Sequence, residues 1–235
     1  MKTKLFGLLA GASIYALAVQ PAAANLFTFV TPLGSTSDGQ TASAEADITT
    51  SAGSLMVVLK NLLSPSQIIS AGQAISDLSF TLGNAPGMQG TLTASGQQAD
   101  IGAGGTVTNV PGSPGRFIGM DGGSFTVSGN TITLEALGGG KPSEMILPSG
   151  GPFTNANASV TSNFSPWTVG DATFTLNFSG VTAATTVTAA TFTFGTGPDA
   201  TITVPGPIAG AGLPGLIAAC GGLLALARRR RKFVA

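Results

Sequence analysis

The chain has 235 residues, carries ten cationic and ten anionic side chains, and contains no histidine. Without imidazole, Ser-His-Asp and Cys-His nucleophilic sites and histidine-ligated zinc are excluded. The formal charge of zero hides an asymmetry, because seven of the ten cations lie in the first four and last eight residues. The central part keeps three cations against ten carboxylates, a net charge of −7, which disfavours binding to nucleic acid.

The first 24 residues have the pattern of a secretory signal peptide. Two lysines within Met1–Lys4 precede an uncharged and mostly apolar run from Leu5 to Val19, and small residues follow it. Ala22 and Ala24 occupy the positions that signal peptidase reads, so we expect cleavage before Asn25. An uncleaved anchor is the less favoured alternative, because the apolar run is short for a membrane span.

A second apolar segment, residues 208–227, contains 20 residues and no charge. At about 1.5 Å per residue, a helix of this length reaches about 30 Å, the thickness of a bilayer's hydrocarbon core. Lys232 and four consecutive arginines follow it: Arg228, Arg229, Arg230 and Arg231. Such a basic cluster holds its end of a span on the cytoplasmic side. The segment therefore predicts one transmembrane helix with a stop-transfer signal in residues 228–232.

The four residues in front of this segment are Val204, Pro205, Gly206 and Pro207. A short Pro-containing motif, a transmembrane helix and a terminal Arg cluster, in this order, resemble the PEP-CTERM sorting signal of Gram-negative bacteria. Gly206 stands where that family usually has Glu. The resemblance implies that an exosortase, a membrane-embedded cysteine transpeptidase, recognises residues 204–235. It also implies delivery to the cell surface or the extracellular space of a bacterium that makes exopolysaccharide.

Between the two signals, apolar and hydroxyl residues alternate with the two-residue period of a β-strand. The clearest case is residues 173–178, where Phe174, Leu176 and Phe178 are expected to face inward. Residues 55–59 are apolar without alternation, which predicts a strand covered on both faces. We therefore expect an all-β fold in which residues 25–203 form a single antiparallel β-sandwich, with a jelly roll as the alternative.

Two connections between the predicted strands have sequence patterns that indicate their structure. Ser128, Gly129 and Asn130 between residues 124–127 and 131–134 predict a tight hairpin that pairs these strands. Residues 138–152 are rich in Gly and Pro, and the apolar triplet 145–147 within them is expected to dock on the core or to add a short edge strand.

Helical spacing is confined to residues 66–76 in the central part. Ser64 or Ser66 can cap a helix that begins near Pro65. Gly72 limits the expected helix to a turn or two.

Carboxylates are the remaining candidates for chemistry. Glu135 and Glu144 could form the acid and base pair of a glycosidase, a reaction that needs no histidine. Glu135 falls on the polar face of a predicted strand and Glu144 in the Gly/Pro-rich connection, so surface positions are favoured. Trp167, the only tryptophan, is expected to anchor the core or a loop rather than to stack on a sugar. We predict no catalytic residue and no cofactor.

Carboxylates could also serve as oxygen ligands of a calcium ion. Asp38, Glu45, Asp47 and Asp121 could contribute, and Glu45 and Asp47 fall on one face of an alternating strand. No Asp-x-Asp-x-Asp loop is present, so we predict no metal site.

We conclude that the sequence predicts an exported surface or matrix protein with a structural or adhesive role. Its expected partners are signal peptidase, an exosortase-like transpeptidase, the inner membrane through residues 208–227, and exopolysaccharide. Two alternatives remain open. A carbohydrate- or calcium-binding module would expose Trp167 on a groove, and a glycan-active enzyme would place two carboxylates face to face in a cleft.

Overall fold

The computed structural model describes residues 24–111, 124–137, 142, 144–197 and 200–206. The predicted signal peptide up to residue 23, Pro207, the predicted span 208–227 and the basic residues 228–232 lie outside the described residues. No described helix is long and apolar enough to cross a membrane.

The described chain is almost entirely β-structure, as the alternation predicts. Its strands are β1 (Asn25–Val30), β2 (Thr36–Ser37), β3 (Gln40–Thr41), β4 (Ala44–Ser51), β5 (Ser54–Asn61), β6 (Ile75–Leu82), β7 (Gln89–Ser95), β8 (Gln98–Ile101), β9 (Val107–Asn109), β10 (Ser124–Ser128), β11 (Thr131–Glu135), β12 (Ile146–Leu147), β13 (Trp167–Val169), β14 (Ala172–Phe178), β15 (Val187–Phe194) and β16 (Thr201–Pro205). Single helical turns occupy Pro65–Gln67, Ala71–Gln73, Ala103–Gly105 and Ser159–Asn163.

The first sheet has five antiparallel strands in the order β1-β4-β5-β14-β7. One face of each long strand is buried because its apolar residues recur at every second position. Phe174, Leu176 and Phe178 of β14 are at most 2% exposed, which confirms their predicted inward orientation.

The second sheet is built around β6. β11 and β10 follow on one side of β6, and β15 and β16 on the other. Beyond the end of β11, β12 pairs with β6 at Ile75 and leads on to β13, β8 and β9. The pair β12–β13 is parallel, which departs from the expected purely antiparallel arrangement.

A single hydrophobic core joins the inner faces of both sheets in a sandwich-like arrangement. The largest fully buried side chains come from both sheets and from the loops between them: Trp167, Phe29, Phe80, Phe153, Phe174, Phe178, Phe192 and Phe194. Burial of aromatic rings of this size is the main source of stability of such a core.

The predicted hairpin is confirmed. β10 pairs with β11 in register from Ser124↔Glu135 to Ser128↔Thr131, and Gly129 in the turn has a φ of 59°. A positive φ at the first turn position is what a type II′ hairpin requires, and glycine adopts it at no steric cost.

The prediction for residues 55–59 was wrong in detail. β5 is covered on one face only: Leu55 and Val57 are fully buried, whereas Met56 between them is 42% exposed on the outer face of the first sheet. Apolar residues on both faces therefore did not mean burial on both faces here. The first alternative for residues 145–147 is confirmed, because Ile146 and Leu147 dock on the core, where they form a short strand between β6 and β13 and not at a sheet edge.

The helical stretch forms two separate 3-10 turns, Pro65–Gln67 and Ala71–Gln73. In each turn the third side chain reaches back to backbone in front of it. Gln67 Oε1 accepts from the Ser64 N–H at 2.8 Å, and Gln73 Oε1 accepts from the Ile69 N–H at 2.6 Å. This confirms the expectation of only a turn or two.

Both ends of the described chain lie at the same end of the domain, which we call the basal end. Asn25 pairs with Thr50 next to the β4–β5 turn, and Val187 pairs with Leu82 where β15 begins. The last residue of β16, Pro205, pairs with Ala189 of β15, two residues after Val187. The opposite end carries the β2–β3 hairpin and the two 3-10 turns.

Candidate functional site

The first three residues of the predicted sorting motif belong to the second sheet. Val204 and Pro205 are the last residues of β16 and pair with Ala190 and Ala189. Gly206 continues the pairing, since its N–H donates to the carbonyl of Thr188 at 2.7 Å. Because successive N–H groups of a strand point in opposite directions, the Pro205 nitrogen faces the free edge, where a missing donor costs no ladder hydrogen bond.

Gly206 lies so close to β15 that it has no room for a side chain. A Cβ atom at this position would lie 2.6 Å from the Thr188 oxygen, 2.8 Å from the Thr188 carbonyl carbon and 2.9 Å from the Val187 oxygen. All three are backbone atoms, which cannot turn away as the tip of a flexible side chain can. The pairing of residue 206 with β15 therefore requires glycine.

Residues 183–188 hold both ends of the described chain at the basal end. Asn25 Nδ2 donates to the Ala183 carbonyl at 2.6 Å, and Thr50 Oγ1 donates to the Thr185 carbonyl at 3.1 Å. Gly206 binds Thr188 of the same segment. Of the predicted signal-peptidase residues, Ala24 is exposed beside Asn25, and Ala22 lies outside the described residues.

The outer face of the second sheet carries a row of hydroxyl side chains, which we call the hydroxyl row. Its five members are register partners on five neighbouring strands, in the order Thr126, Thr133, Ser79, Thr191 and Thr203. The hydroxyls of Ser79 and Thr133 lie 2.9 Å apart, as do those of Thr191 and Thr203. With strands about 4.8 Å apart, the row extends over about 19 Å across the sheet.

Two carboxylates stand next to the hydroxyl row. Asp77 and Glu135 are register partners on β6 and β11. Burial raises the pKa of Asp77 to about 6, although the backbone N–H groups of Leu137 and Ala136 donate hydrogen bonds to its carboxylate and counteract the shift. Glu135 thus stands opposite Asp77 in the sheet.

Glu144 does not occupy the surface position that was expected for it. It is 1% exposed and has a φ of 60°, and its N–H donates to the Pro166 carbonyl at 2.9 Å. The burial was not predicted, because a Gly/Pro-rich connection is typical of an exposed loop.

Glu45 and Asp47 lie on one face of β4, as predicted, but an ammonium group joins them. Lys60 Nζ lies 2.7 Å from a carboxylate oxygen of each residue. Partial burial alone would raise the pKa of Asp47, but hydrogen bonds from Lys60 and Thr28 outweigh it and hold that pKa below its ordinary value. Hydrogen bonds with the two carboxylates, that of Asp47 first, raise the pKa of Lys60. Asp38 lies apart in the β2–β3 turn, and Asp121 is outside the described residues.

Trp167 is completely buried, so it offers no platform for a sugar ring. Its indole N–H donates to the Val160 carbonyl, and its ring meets the edge of Phe164. The core position predicted for Trp167 is confirmed, and a binding module built on an exposed Trp167 is ruled out.

A cleft among the described residues has a volume of about 680 Å³. It is open and is lined by Gln97, Val107, Asn109, Pro152 and Val169, among others, and none of its described lining residues is titratable. No group of three or more Cys, Asp or Glu side chains that could hold a metal ion occurs in the described ranges.

The hydroxyl row has a partial signal in the sequence. Each of its five strands alternates Ser or Thr with apolar residues, but only strand pairing reveals that the hydroxyls align. No family model matches the chain, and no curated protein and no solved structure is significantly similar to it. A functional proposal therefore rests on the tail, the chain ends and the surface of the domain.

Proposed function

We propose that this chain is an exported β-sandwich protein with a structural or adhesive role at the bacterial surface. A PEP-CTERM-type tail, residues 204–235, holds it at the inner membrane and delivers it to the cell surface or the matrix. The observation that carries this proposal is the position of Asn25 and Gly206, at the two ends of the described β-structure, on one segment at the basal end.

A domain with this geometry can be tethered at both ends during export. While the signal peptide and the helix over 208–227 are still in the membrane, the two connections leave the basal end together. Neither connection has to cross the surface of the folded domain. The opposite end and the outer faces of both sheets stay free, which suits a protein that contacts material outside the cell.

The partner that fits the hydroxyl row is a neutral exopolysaccharide. Serine and threonine hydroxyls both donate and accept hydrogen bonds, as sugar hydroxyls do. Lys60, the one cation among the described residues, lies on the other sheet, and Asp77 and Glu135 flank the row. An anionic polymer would be repelled from this face, whereas a neutral polymer meets no charge penalty.

The tail is tested by intact mass spectrometry of the protein from its native host. We expect a species that begins at Asn25 and lacks residues 228–235. Replacing Arg228, Arg229, Arg230 and Arg231 together with Ser should weaken membrane retention, because the basic cluster is the stop-transfer signal. A protein that keeps residues 228–235 in the host would instead be a plain single-span membrane protein.

The adhesive role is tested by co-sedimentation of the purified protein with the exopolysaccharide of the host. Thr133→Val and Thr191→Val remove two hydroxyls of the hydroxyl row and preserve side-chain shape, so we expect weaker binding. Thr175→Val, on the outer face of the first sheet, is the matched control. Equal binding by all variants would reject the hydroxyl row as the contact surface.

The mixture of protein and polysaccharide also distinguishes an adhesive protein from an enzyme. An adhesive protein leaves the polysaccharide intact, whereas a glycan-active enzyme shortens it. Steady turnover that Glu135→Gln or Glu144→Gln abolishes would replace the adhesive role with catalysis.

A further inference from the structure

We propose that the open cleft of about 680 Å³ is a binding site for a neutral glycan. We call it the amide cleft, and its described lining includes Gln97, Thr106, Val107, Asn109, Pro152 and Val169. The hydroxyl row lies elsewhere, on β10, β11, β6, β15 and β16. Glycan binding in the amide cleft therefore does not depend on the hydroxyl row.

The amide cleft lies at the end of the domain opposite the basal end. β12, which leads on to β13, β8 and β9, pairs with Ile75 at the start of β6, whereas Leu82 at the end of β6 lies at the basal end. A Cβ atom at Gly150, in the wall of the cleft, would lie 3.8 Å from Cγ of Pro65 in the first 3-10 turn. A tether at the basal end would therefore leave the amide cleft open to its surroundings.

The walls of the amide cleft are held in place by the fold. The Val169 N–H donates to the Gln97 carbonyl at 2.8 Å, so these two residues are fixed side by side. A Cβ atom at Gly151 would lie 2.5 Å from a methyl group of Val107, so the segment 150–152 packs directly on β9. Walls that are already ordered lower the entropy cost of binding. The volume falls within the range of about 300 to 1,000 Å³ that is typical of small-ligand sites.

The polar groups of the amide cleft match the hydroxyls of a sugar. Asn109 is exposed, and its carboxamide makes no hydrogen bond within the part of the chain that the structure describes. Gln97 donates from Nε2 to the Gln98 carbonyl at 2.8 Å, which leaves its side-chain oxygen as an acceptor. Thr106 adds a hydroxyl to the lining. A carboxamide both donates and accepts, so it can bind two neighbouring sugar hydroxyls at once.

The remaining described surface of the cleft is apolar and uncharged. Val107, Pro152 and Val169 can pack against the C–H groups of a sugar ring. The described lining contains neither a cation nor a carboxylate, and the central part of the chain has a net charge of −7. An anionic glycan would be repelled without a compensating cation, and a cationic ligand would find no carboxylate. An uncharged glycan therefore fits this cleft best.

A titration followed by NMR of the side-chain carboxamides tests this on the full-length protein in a detergent that contains no sugar. The probes are neutral oligosaccharides of glucose, galactose, mannose and rhamnose. Each is added up to about 10 mM, which nearly saturates a site with a Kd of about 1 mM. We expect at least one of them to shift the Asn109 carboxamide signals in a saturable way. Alginate oligosaccharides, which carry a carboxylate on every unit, should not.

Asn109→Leu removes the carboxamide and keeps the approximate size of the side chain. Binding, followed at the Gln97 carboxamide, should become at least about fivefold weaker, because hydrogen bonds to the sugar are lost. Thr108→Val is the matched control, because Thr108 is in the same strand, its side chain points to the opposite face and it is not in the described lining. Thr133→Val and Thr191→Val in the hydroxyl row should also bind these oligosaccharides as the wild type does.

The absence of a saturable shift with every neutral oligosaccharide would overturn the inference. So would equal shifts with alginate oligosaccharides or with an uncharged glycine-serine peptide, and so would equal weakening by Asn109→Leu and Thr108→Val. Saturable binding that only Asn109→Leu weakens would support the amide cleft. This result would stand even if the hydroxyl-row variants co-sediment with exopolysaccharide as the wild type does, which would reject only the hydroxyl row.

Discussion

Trp167 donates its indole N–H to the backbone carbonyl of Val160, 3.0 Å away, from a side chain with no exposed surface. Val160 lies in the helical turn Ser159–Asn163, so this bond fastens that turn to β13. Trp167→Phe keeps an aromatic ring but removes the donor, and we expect a loss of about 1 to 3 kcal/mol in the free energy of unfolding. Urea unfolding followed by circular dichroism measures it. Wild-type stability in the variant would show that the hydrogen bond is dispensable.

The core of the first sheet predicts a larger effect at Phe178. This ring is 2% exposed at the end of β14, so Phe178→Ala should destabilise the domain by about 3 to 5 kcal/mol. Leu33→Ala is the control, because the Leu33 side chain is fully exposed. The two variants are compared by urea unfolding of purified residues 25–206. Similar losses in both would contradict the placement of Phe178.

Two neighbouring glycines allow backbone strain to be separated from steric conflict. Gly104 and Gly105 have φ values of 72° and 76°, so alanine is strained at either position. A Cβ at Gly104 meets nothing within 4 Å, whereas a Cβ at Gly105 would collide with the backbone of Phe153. We expect Gly105→Ala to lower the melting temperature clearly more than Gly104→Ala. Equal shifts would mean that the 153 backbone moves aside freely.

Asp77 predicts an unusual dependence of stability on pH. Its pKa is raised to about 6 by burial, from about 3.9 in an unfolded chain. The folded state therefore holds the proton more tightly, and the free energy of unfolding should fall by about 2 kcal/mol as pH rises from about 4 to about 6. Asp77→Asn should flatten the curve in this window. Unfolding at pH 4.5 and 7 measures it, and a wild-type curve that rises across the window would contradict it.

Lys60 predicts a change in the titration of a neighbouring carboxylate. Lys60→Met removes the ammonium group that bridges Glu45 and Asp47, and the pKa of Asp47 should rise because its strongest stabilising hydrogen bond is lost. Lys60→Arg keeps a cation and should keep the pKa of Asp47 low. Carboxyl chemical shifts recorded against pH by NMR decide the question, and an unchanged Asp47 titration in Lys60→Met would refute the bridging role.

Local alternation and turn chemistry were sufficient to predict the strands and their inward faces. Phe174 and Phe178 are buried as expected, and Gly129 turns the expected hairpin, because both features depend only on neighbouring residues. Neighbouring residues did not allow us to predict that only one face of β5 is buried. Met56 is apolar, as its buried neighbours Leu55 and Val57 are. It is exposed because the outer face of the first sheet is in contact with solvent, and this depends on the tertiary structure.

Contacts between residues far apart in the chain could not be predicted either. Glu144 is buried and donates its backbone N–H to Pro166, which lies far along the chain, and the alignment of the hydroxyl row depends on five strands from different parts of the chain. The close approach of Gly206 to Thr188 likewise follows from tertiary pairing. Sequence reasoning predicts a sorting motif at residues 204–207, but it could not show that Val204 and Pro205 lie in the sheet.

The pairing of β16 also determines how the domain responds to mechanical load. The chain continues the line of β16 through Gly206, so a pull on the tail acts along the strand and not across it. The five register pairs of β16 with β15 and the bond from Gly206 to Thr188 are then loaded together in shear. A strand pulled in shear resists far more force than one that is unzipped pair by pair. A domain that is held by its outer face and pulled through Gly206 would therefore keep β16 in the sheet under load.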